Sequence, residues 1–336
     1  MQWLRLLTFP FALLYGGIVK IRNYLYDINF LKSNTFSTPT ICIGNLSVGG
    51  TGKTPMTDFL ITHLKAHFTI AVLSRGYKRK SSGFILAGEK TSVLDLGDEP
   101  FQLFKKHKEL IVAVDADRSN GISEIQKKTT ANFILLDDAF QHRKVNPHYS
   151  ILLTTFEQPF FSDFYLPMGN LRDDKNQKKR ANVIVVTKCP ADLSQTQQTQ
   201  YIEKIKPKAS QKVVFSTLKY AEVLKGVETD LTFSAIKDKK LALLTGIANP
   251  KPLVEFLHNN DLHFRHFKYA DHHFFTMAEL NKLANFDVVI TTEKDFVRLD
   301  SKLPNAYYLG VEHHFINQEP NLVSLLLDTF KTDSAF

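Results

Sequence analysis

The stretch Ser47-Val48-Gly49-Gly50-Thr51-Gly52-Lys53-Thr54 constrains this chain more than any other. It follows an apolar β-like run, Thr40-Ile41-Cys42-Ile43, and leads into a helical pattern through Met56, Phe59, Leu60 and Leu64. Strand, glycine-rich turn, Gly-Lys-Thr and helix is the context of a phosphate-binding P-loop. The glycines let the backbone curl until successive N–H groups face one anion, and the following helix adds the positive end of its dipole. In that arrangement Lys53 reaches the β- and γ-phosphates and the Thr54 hydroxyl sits on Mg2+. The usual pattern opens with Gly where this chain has Ser47, but Gly49, Gly50 and Gly52 keep the loop flexible. The ligand implied is a nucleoside triphosphate.

The pattern around this loop is that of a parallel α/β sheet. Short apolar runs recur at 69–73, 110–114, 133–136, 151–153 and 183–186, with helical patterns between them. In such sheets the strand C-termini carry the functional loops. Here they carry Ser74-Arg75-Gly76-Tyr77, Asp115-Ala116-Asp117-Arg118, Asp137-Asp138 and Thr187-Lys188. An apolar strand closing on Asp137-Asp138 downstream of a P-loop is the Walker B arrangement, which places a carboxylate near Mg2+. Gly97-Asp98-Glu99-Pro100 precedes a helical pattern and reads as a helix start, with Asp98 as its cap. A polar stretch near 194–212 marks a boundary, beyond which strands at 241–244 and 288–290 build a second unit. That unit carries Asp271-His272-His273 and Thr292-Glu293-Lys294-Asp295.

The N-terminus adds a third part. Residues 6–19 hold no charge and cluster Phe9, Phe11, Leu13, Leu14, Tyr15 and Ile18, with Arg5 before them and Lys20 and Arg22 after. A span needs about 17–25 apolar residues, and Pro10 and Gly16-Gly17 interrupt this shorter run. It reads as an interfacial helix, aromatics in the headgroup layer and basic groups on anionic lipid, or else as a helix packed on its own domain. A secretory signal has the same look, but an ATP-type loop downstream argues against export. The expected division is a membrane-associating segment 1–28, a P-loop domain 29–210 and a C-terminal α/β domain 211–336.

With 336 residues, 43% of them hydrophobic, the chain can bury a sizeable core, and its net charge of +8 favours anionic partners. Nucleic acid is not expected, since no interleaved aromatic and basic platform is present. Cys42 and Cys189, both beside apolar runs, read as reduced thiols of a cytosolic protein without metal spacing.

Together with the P-loop, Ser74-Arg75-Gly76-Tyr77, Gly97-Asp98-Glu99-Pro100, Asp115 to Arg118, Leu136-Asp137-Asp138-Ala139-Phe140-Gln141-His142, Leu166 to Arg172, Val186-Thr187-Lys188, Gly246-Ile247-Ala248, Asp271-His272-His273 and Thr292-Glu293-Lys294-Asp295 resemble the tetraacyldisaccharide 4'-kinase family, in its order and over nearly the whole chain. The resemblance implies two α/β/α lobes hinged around an ATP site on the cytoplasmic face of the bacterial inner membrane. It implies transfer of the γ-phosphoryl of ATP to the 4'-hydroxyl of a tetraacylated glucosamine disaccharide 1-phosphate, giving lipid IVA in lipid A biosynthesis. It also implies Asp98 as the base with His272 as partner, and Arg118 and Arg172 on substrate or the transferring phosphate. Lys53 and the loop from Ser47 to Thr54 would hold ATP, with Mg2+ on Thr54, Asp137, Asp138 and Asp173. The chain departs from the family pattern at Ala139 (commonly Gly), Asp173 (commonly Glu) and Met168 (commonly Ala). A monomer is the favoured state.

Two other readings compete. A membrane-associated partitioning-type ATPase shares Gly-Gly-x-Gly-Lys-Thr but places a signature Lys where this chain has Val48. A nucleic-acid ATPase would use the positive charge, which suits anionic lipid equally well.

Overall fold

The structure is a computed structural model that describes residues 5–299, 302–316 and 321–332. Residues 1–4 of the expected N-terminal segment therefore lie outside the described residues, as do 300–301, 317–320 and 333–336 of the expected C-terminal domain.

The strands are β1 (Thr40–Asn45), β2 (Ile70–Ser74), β3 (Ile85–Leu86), β4 (Ile111–Val114), β5 (Phe133–Asp137), β6 (Tyr149–Thr155), β7 (Val183–Thr187), β8 (Lys212–Lys225), β9 (Asp230–Thr232), β10 (Leu241–Thr245), β11 (Phe264–Lys268), β12 (Val288–Thr292) and β13 (Ala306–Phe315). The helices are α1 (Phe9–Asp27), α2 (Lys53–Leu64), α3 (Val93–Leu96), α4 (Asp98–Lys106), α5 (Arg118–Lys128), α6 (Gln195–Ile205), α7 (Lys251–Asn259), α8 (Met277–Asn281), α9 (Glu293–Leu299) and α10 (Leu322–Thr332).

Hydrogen bonding links the strands in the order β11-β10-β12-β13-β8-β7-β6-β1-β5-β2-β4-β3, with β9 on β8. Most pairs are parallel, as the alternation of strands and helices implies. β1, β2, β5 and β7 are buried along their whole length, which is why they read as unbroken apolar runs. Alternate side chains then supply opposite faces: Ile41 and Ile43 join one core with Met56 and Leu60, while Cys42 joins another with Leu136 and Phe140.

Two lobes share one strand. Residues 212–215 of β8 pair in parallel with β7 of the first lobe, and 216–225 pair antiparallel with β13 of the second. At about 3.3 Å per residue, a strand of this length reaches through both sheets. The chain crosses back at its end, because Leu322, Leu326 and Phe330 of α10 pack into the first lobe's core, with the Phe330 ring 5.0 Å from Phe133.

Helix α1 lies against the first lobe through Ala12, Gly16, Val19, Asn23 and Tyr26. Its other face exposes Phe9, Phe11, Leu13, Leu14, Ile18, Ile21 and Tyr24. Among the described residues, no helix is long and apolar enough to cross a membrane.

Candidate active site

The P-loop leaves β1 at Asn45 and enters α2 at Lys53. Gly49 (φ 111°) and Gly52 (φ 87°) take backbone conformations that L side chains rarely adopt, so glycine is required at both. Asn45 Nδ2 donates to Thr51 Oγ1 at 2.8 Å, and the Thr187 hydroxyl donates to the Thr51 carbonyl at 2.8 Å. The ends of β1 and β7 thus hold the loop, leaving Lys53 and Thr54 on the first turn of α2, both half-buried.

Asp137 and Asp138 close β5 beside it, and their environments differ. Lys53 Nζ is 3.8 Å from Asp138 Oδ1, and Arg172 grips both carboxylate oxygens, with Nη1 at 3.2 Å from Oδ2. Burial works against the Asp138 charge, but Lys53 and Arg172 outweigh it and hold the carboxyl below its usual range. The Asp137 carboxylate accepts from the Thr57 hydroxyl at 3.2 Å. Burial first, then the charges of Glu99 and Asp138, push it up to about 7. Lys53 opposes that rise only in part, and a buried carboxylate so raised is suited to a hard divalent ion.

The second cluster joins the lobes. Asp98 is the first residue of α4, behind Gly97 as the N-cap, so it is not the cap read from the sequence. Its Oδ2 meets His272 Nδ1 at 2.6 Å and Arg298 Nε at 3.3 Å. Burial raises the Asp98 pKa, but the bond from His272 and the charge of Arg298 overcome it and keep the carboxyl below its ordinary value. His272 has φ 65°, with its N–H on the Gly246 carbonyl at 3.0 Å. A cavity of about 320 Å³ opens here, lined by Lys78, Val93, Gly97, Asp98, His272 and Phe274.

The sequence-based candidates fare unequally. Lys53, Asp138 and Arg172 come together, as do Asp98 and His272. Arg118 acts from behind them: it is 2% exposed, its guanidinium bonds to the main-chain carbonyls of Asp115, Ala116 and Asp137, and its charge adds to those that lower Asp138. It ties the ends of β4 and β5 together, where strand carbonyls converge. Asp173 is elsewhere. It is 1% exposed under α1, and its Oδ1 accepts from Asn23 Nδ2 at 2.7 Å and from the Asp174 N–H at 2.8 Å, in place of the metal considered for it.

Arg298 escaped the sequence reading. It pairs with Asp295 at 3.2 Å and reaches the carbonyls of Gly246 and His273. Its three-residue spacing from Asp295 on one helix was the available signal. Nothing local marked His313, which touches the Gly52 carbonyl from β13 at 3.0 Å.

The family described as Tetraacyldisaccharide-1-P 4'-kinase matches residues 4–331. The Tetraacyldisaccharide 4'-kinase of Flavobacterium johnsoniae is 47% identical over 334 residues, covering 97% of each chain. That of Bacteroides thetaiotaomicron is 38% identical, covering 95% of this chain and 90% of its own. Among solved structures, LpxK from Aquifex aeolicus in complex with ATP superposes with a TM-score of 0.80 at 29% identity, over 97% of this chain and 99% of that one. By sequence and by fold alike, the chain belongs to the tetraacyldisaccharide-1-P 4'-kinase family.

Proposed function

We propose that the chain transfers the γ-phosphoryl group of ATP to the 4'-hydroxyl of an acylated glucosamine disaccharide 1-phosphate, the lipid IVA-forming step of lipid A biosynthesis. The observation that carries the reading is the contact between Asp98 and His272 beside a P-loop. The Glu99 charge next to Asp98 reaches Asp137, so the two clusters belong to one electrostatic site.

In this mechanism the P-loop N–H groups and Lys53 gather the triphosphate, and Arg172 and Lys53 oppose the charge that develops in transfer. The donors at the strand end are all oxygens, as Mg2+ prefers. Thr54, Asp137 and Asp138 would hold the ion, Asp137 foremost because Asp138 already has two cations. Bound there, it neutralises phosphate charge. Asp98 Oδ2 is engaged by His272 and Arg298, which leaves Oδ1 to take the proton of the sugar hydroxyl entering the cavity. The depressed pKa keeps Asp98 ionised, and so able to accept, throughout the neutral range. Phosphoryl transfer forms the bond from the 4'-oxygen to the γ-phosphorus and breaks the one to the β–γ bridging oxygen, with ADP leaving.

The unit 29–210 supplies the nucleotide groups and the base, and 211–336 supplies His272 and Arg298. The exposed apolar face of α1 would rest on the cytoplasmic face of the inner membrane, with the chain acting as a monomer. The experiment is to incubate the protein with γ-labelled ATP, Mg2+ and the disaccharide 1-phosphate. Label on the lipid is expected, and ATP hydrolysis with unlabelled lipid would refute the assignment.

A further inference from the structure

The inward half of α1 grips the machinery beneath it. Asn23 is 2% exposed and donates to Asp173 Oδ1 at 2.7 Å. The Tyr15 hydroxyl donates to the Arg172 carbonyl at 3.1 Å. Gly16 lies so close to Tyr165 that a Cβ there would stand 2.6 Å from the ring, so glycine sets the approach of the helix. Arg22 donates to the Gln141 carbonyl at 2.7 Å, just past Asp137-Asp138.

The segment so held, 163–174, rests in turn on the P-loop. The N–H groups of Arg172 and Asp173 both reach the Leu46 carbonyl, at 2.9 and 3.2 Å, and Val48 N–H reaches the Asn170 carbonyl at 2.8 Å. Ser47 and Leu171 form a β-bridge. The side chain leaving this segment toward the site is Arg172, on Asp138 and on Asn45 Oδ1 at 2.5 Å. The loop is therefore clamped between α1 on one side and the start of the P-loop on the other.

We propose that α1 is part of the phosphoryl-transfer apparatus: Asn23 and Tyr15 are positioning residues that act through the 163–174 loop to set Arg172 against Asp138 and to fix the first turn of the P-loop. The inference rests on the kinase reading above. Its physical basis is the buried Asp173 carboxylate. Oδ2 has no hydrogen bond among the described residues, with Arg180 3.8 Å away. Asn23 is the side chain that donates to Oδ1. A buried charge stripped of a donor moves to find another polar partner. Asp173 and Arg172 share the Leu46 carbonyl, so that shift carries Arg172 with it.

The test uses the full chain, the disaccharide 1-phosphate acceptor, and vesicles of phosphatidylethanolamine with phosphatidylglycerol. Asn23→Leu should lower kcat about 10–100-fold, the scale on which outer-shell partners act, with vesicle co-sedimentation and lipid KM unchanged. It should also shrink the rise in melting temperature that ATP produces. The exchanged pair Asn23→Asp with Asp173→Asn keeps one donor and one acceptor and should recover most of kcat. Wild-type kcat in Asn23→Leu, loss of vesicle binding in parallel with activity, or no recovery in the exchanged pair would each overturn the proposal. If Asn23→Leu does not fold, Tyr15→Phe decides in its place: a lower kcat at unchanged vesicle binding supports positioning, and an unchanged kcat refutes it. If wild-type protein leaves the lipid unlabelled, the kinase reading fails separately. The ATP-induced melting shift then decides alone, a smaller shift in the variant supporting the proposal and an equal one overturning it.

Discussion

His272 Nδ1 stands 2.6 Å from Asp98 Oδ2 although 174 positions separate them in the chain. Both ends are fixed by special backbone. Gly97 before Asp98 has φ 88°, and a Cβ there would lie 2.7 Å from the Tyr77 carbonyl oxygen. His272, a non-glycine residue at φ 65°, carries strain on the order of 1 kcal/mol or more that its surroundings must hold. Two residues held this way act as one unit, so their losses should be non-additive. Asp98→Ala should lower kcat about 10²–10⁴-fold, the range for loss of a general base. His272→Ala should lose less, and the double variant should be hardly worse than Asp98→Ala. Steady-state kinetics of the four proteins checks this, and multiplicative losses would dissolve the pair while leaving the kinase assignment in place.

Lys53 contributes one of the two cations on Asp138. Lys53→Ala should leave circular dichroism unchanged yet cost roughly 10²–10³-fold in kcat, as for other fixed groups that stabilise transition-state charge. A folded variant turning over at the wild-type rate would remove the phosphate-binding role of the loop.

The Arg298 side chain is fully buried between Asp98 and Asp295. Arg298→Met leaves Asp295 buried without its partner, which costs about 3–5 kcal/mol in comparable pairs. Urea unfolding should show that loss, and adding Asp295→Asn should return part of it. Equal stabilities of the single and double variants would mean that the unpaired Asp295 carboxylate is not what destabilises Arg298→Met.

The sequence made the P-loop and the strand ending in Asp137-Asp138 legible because both are local: glycines at Gly49 and Gly52, and a carboxylate where a buried strand stops. The parallel α/β class followed from the same runs. The pairing of Asp98 with His272 came from family resemblance, since nothing near either residue names the other. Three features were invisible for one shared reason, that their partners are remote. β8 changes from parallel to antiparallel pairing midway, and that depends on β7 and β13, not on its own residues. The spacing of Leu322, Leu326 and Phe330 announces an amphipathic helix but not which lobe it covers. Asp173 sits beside Arg172 in sequence and so resembles a ligand, yet Asn23, 150 positions away, claims its carboxylate.

The last prediction concerns His313, which β13 places against the P-loop. It is 6% exposed, with Nε2 3.0 Å from the Gly52 carbonyl and Nδ1 3.0 Å from Ser216 Oγ. A carbonyl can only accept, so Nε2 carries a proton, while the Ser216 hydroxyl can donate to Nδ1 of the neutral ring that burial favours. Burial pushes its pKa from 6.5 down to about 4, against a smaller opposing effect of the bond to Gly52. The sign follows from proton counting. Between those two values the unfolded chain binds a proton that the folded chain refuses, so this residue's contribution to stability is lost as pH falls from 6.5 toward about 4. His313→Gln can still offer an N–H to Gly52 and does not titrate. All other groups titrate alike in the two proteins, so the difference between them isolates His313. Urea unfolding at about pH 7 and about pH 5 should show wild type losing more stability on acidification than His313→Gln, by an amount that grows as pH falls through this window. Parallel losses in the two proteins would mean that the imidazole takes up its proton as readily in the fold as out of it, and the neutral link from β13 to Gly52 would have to be abandoned.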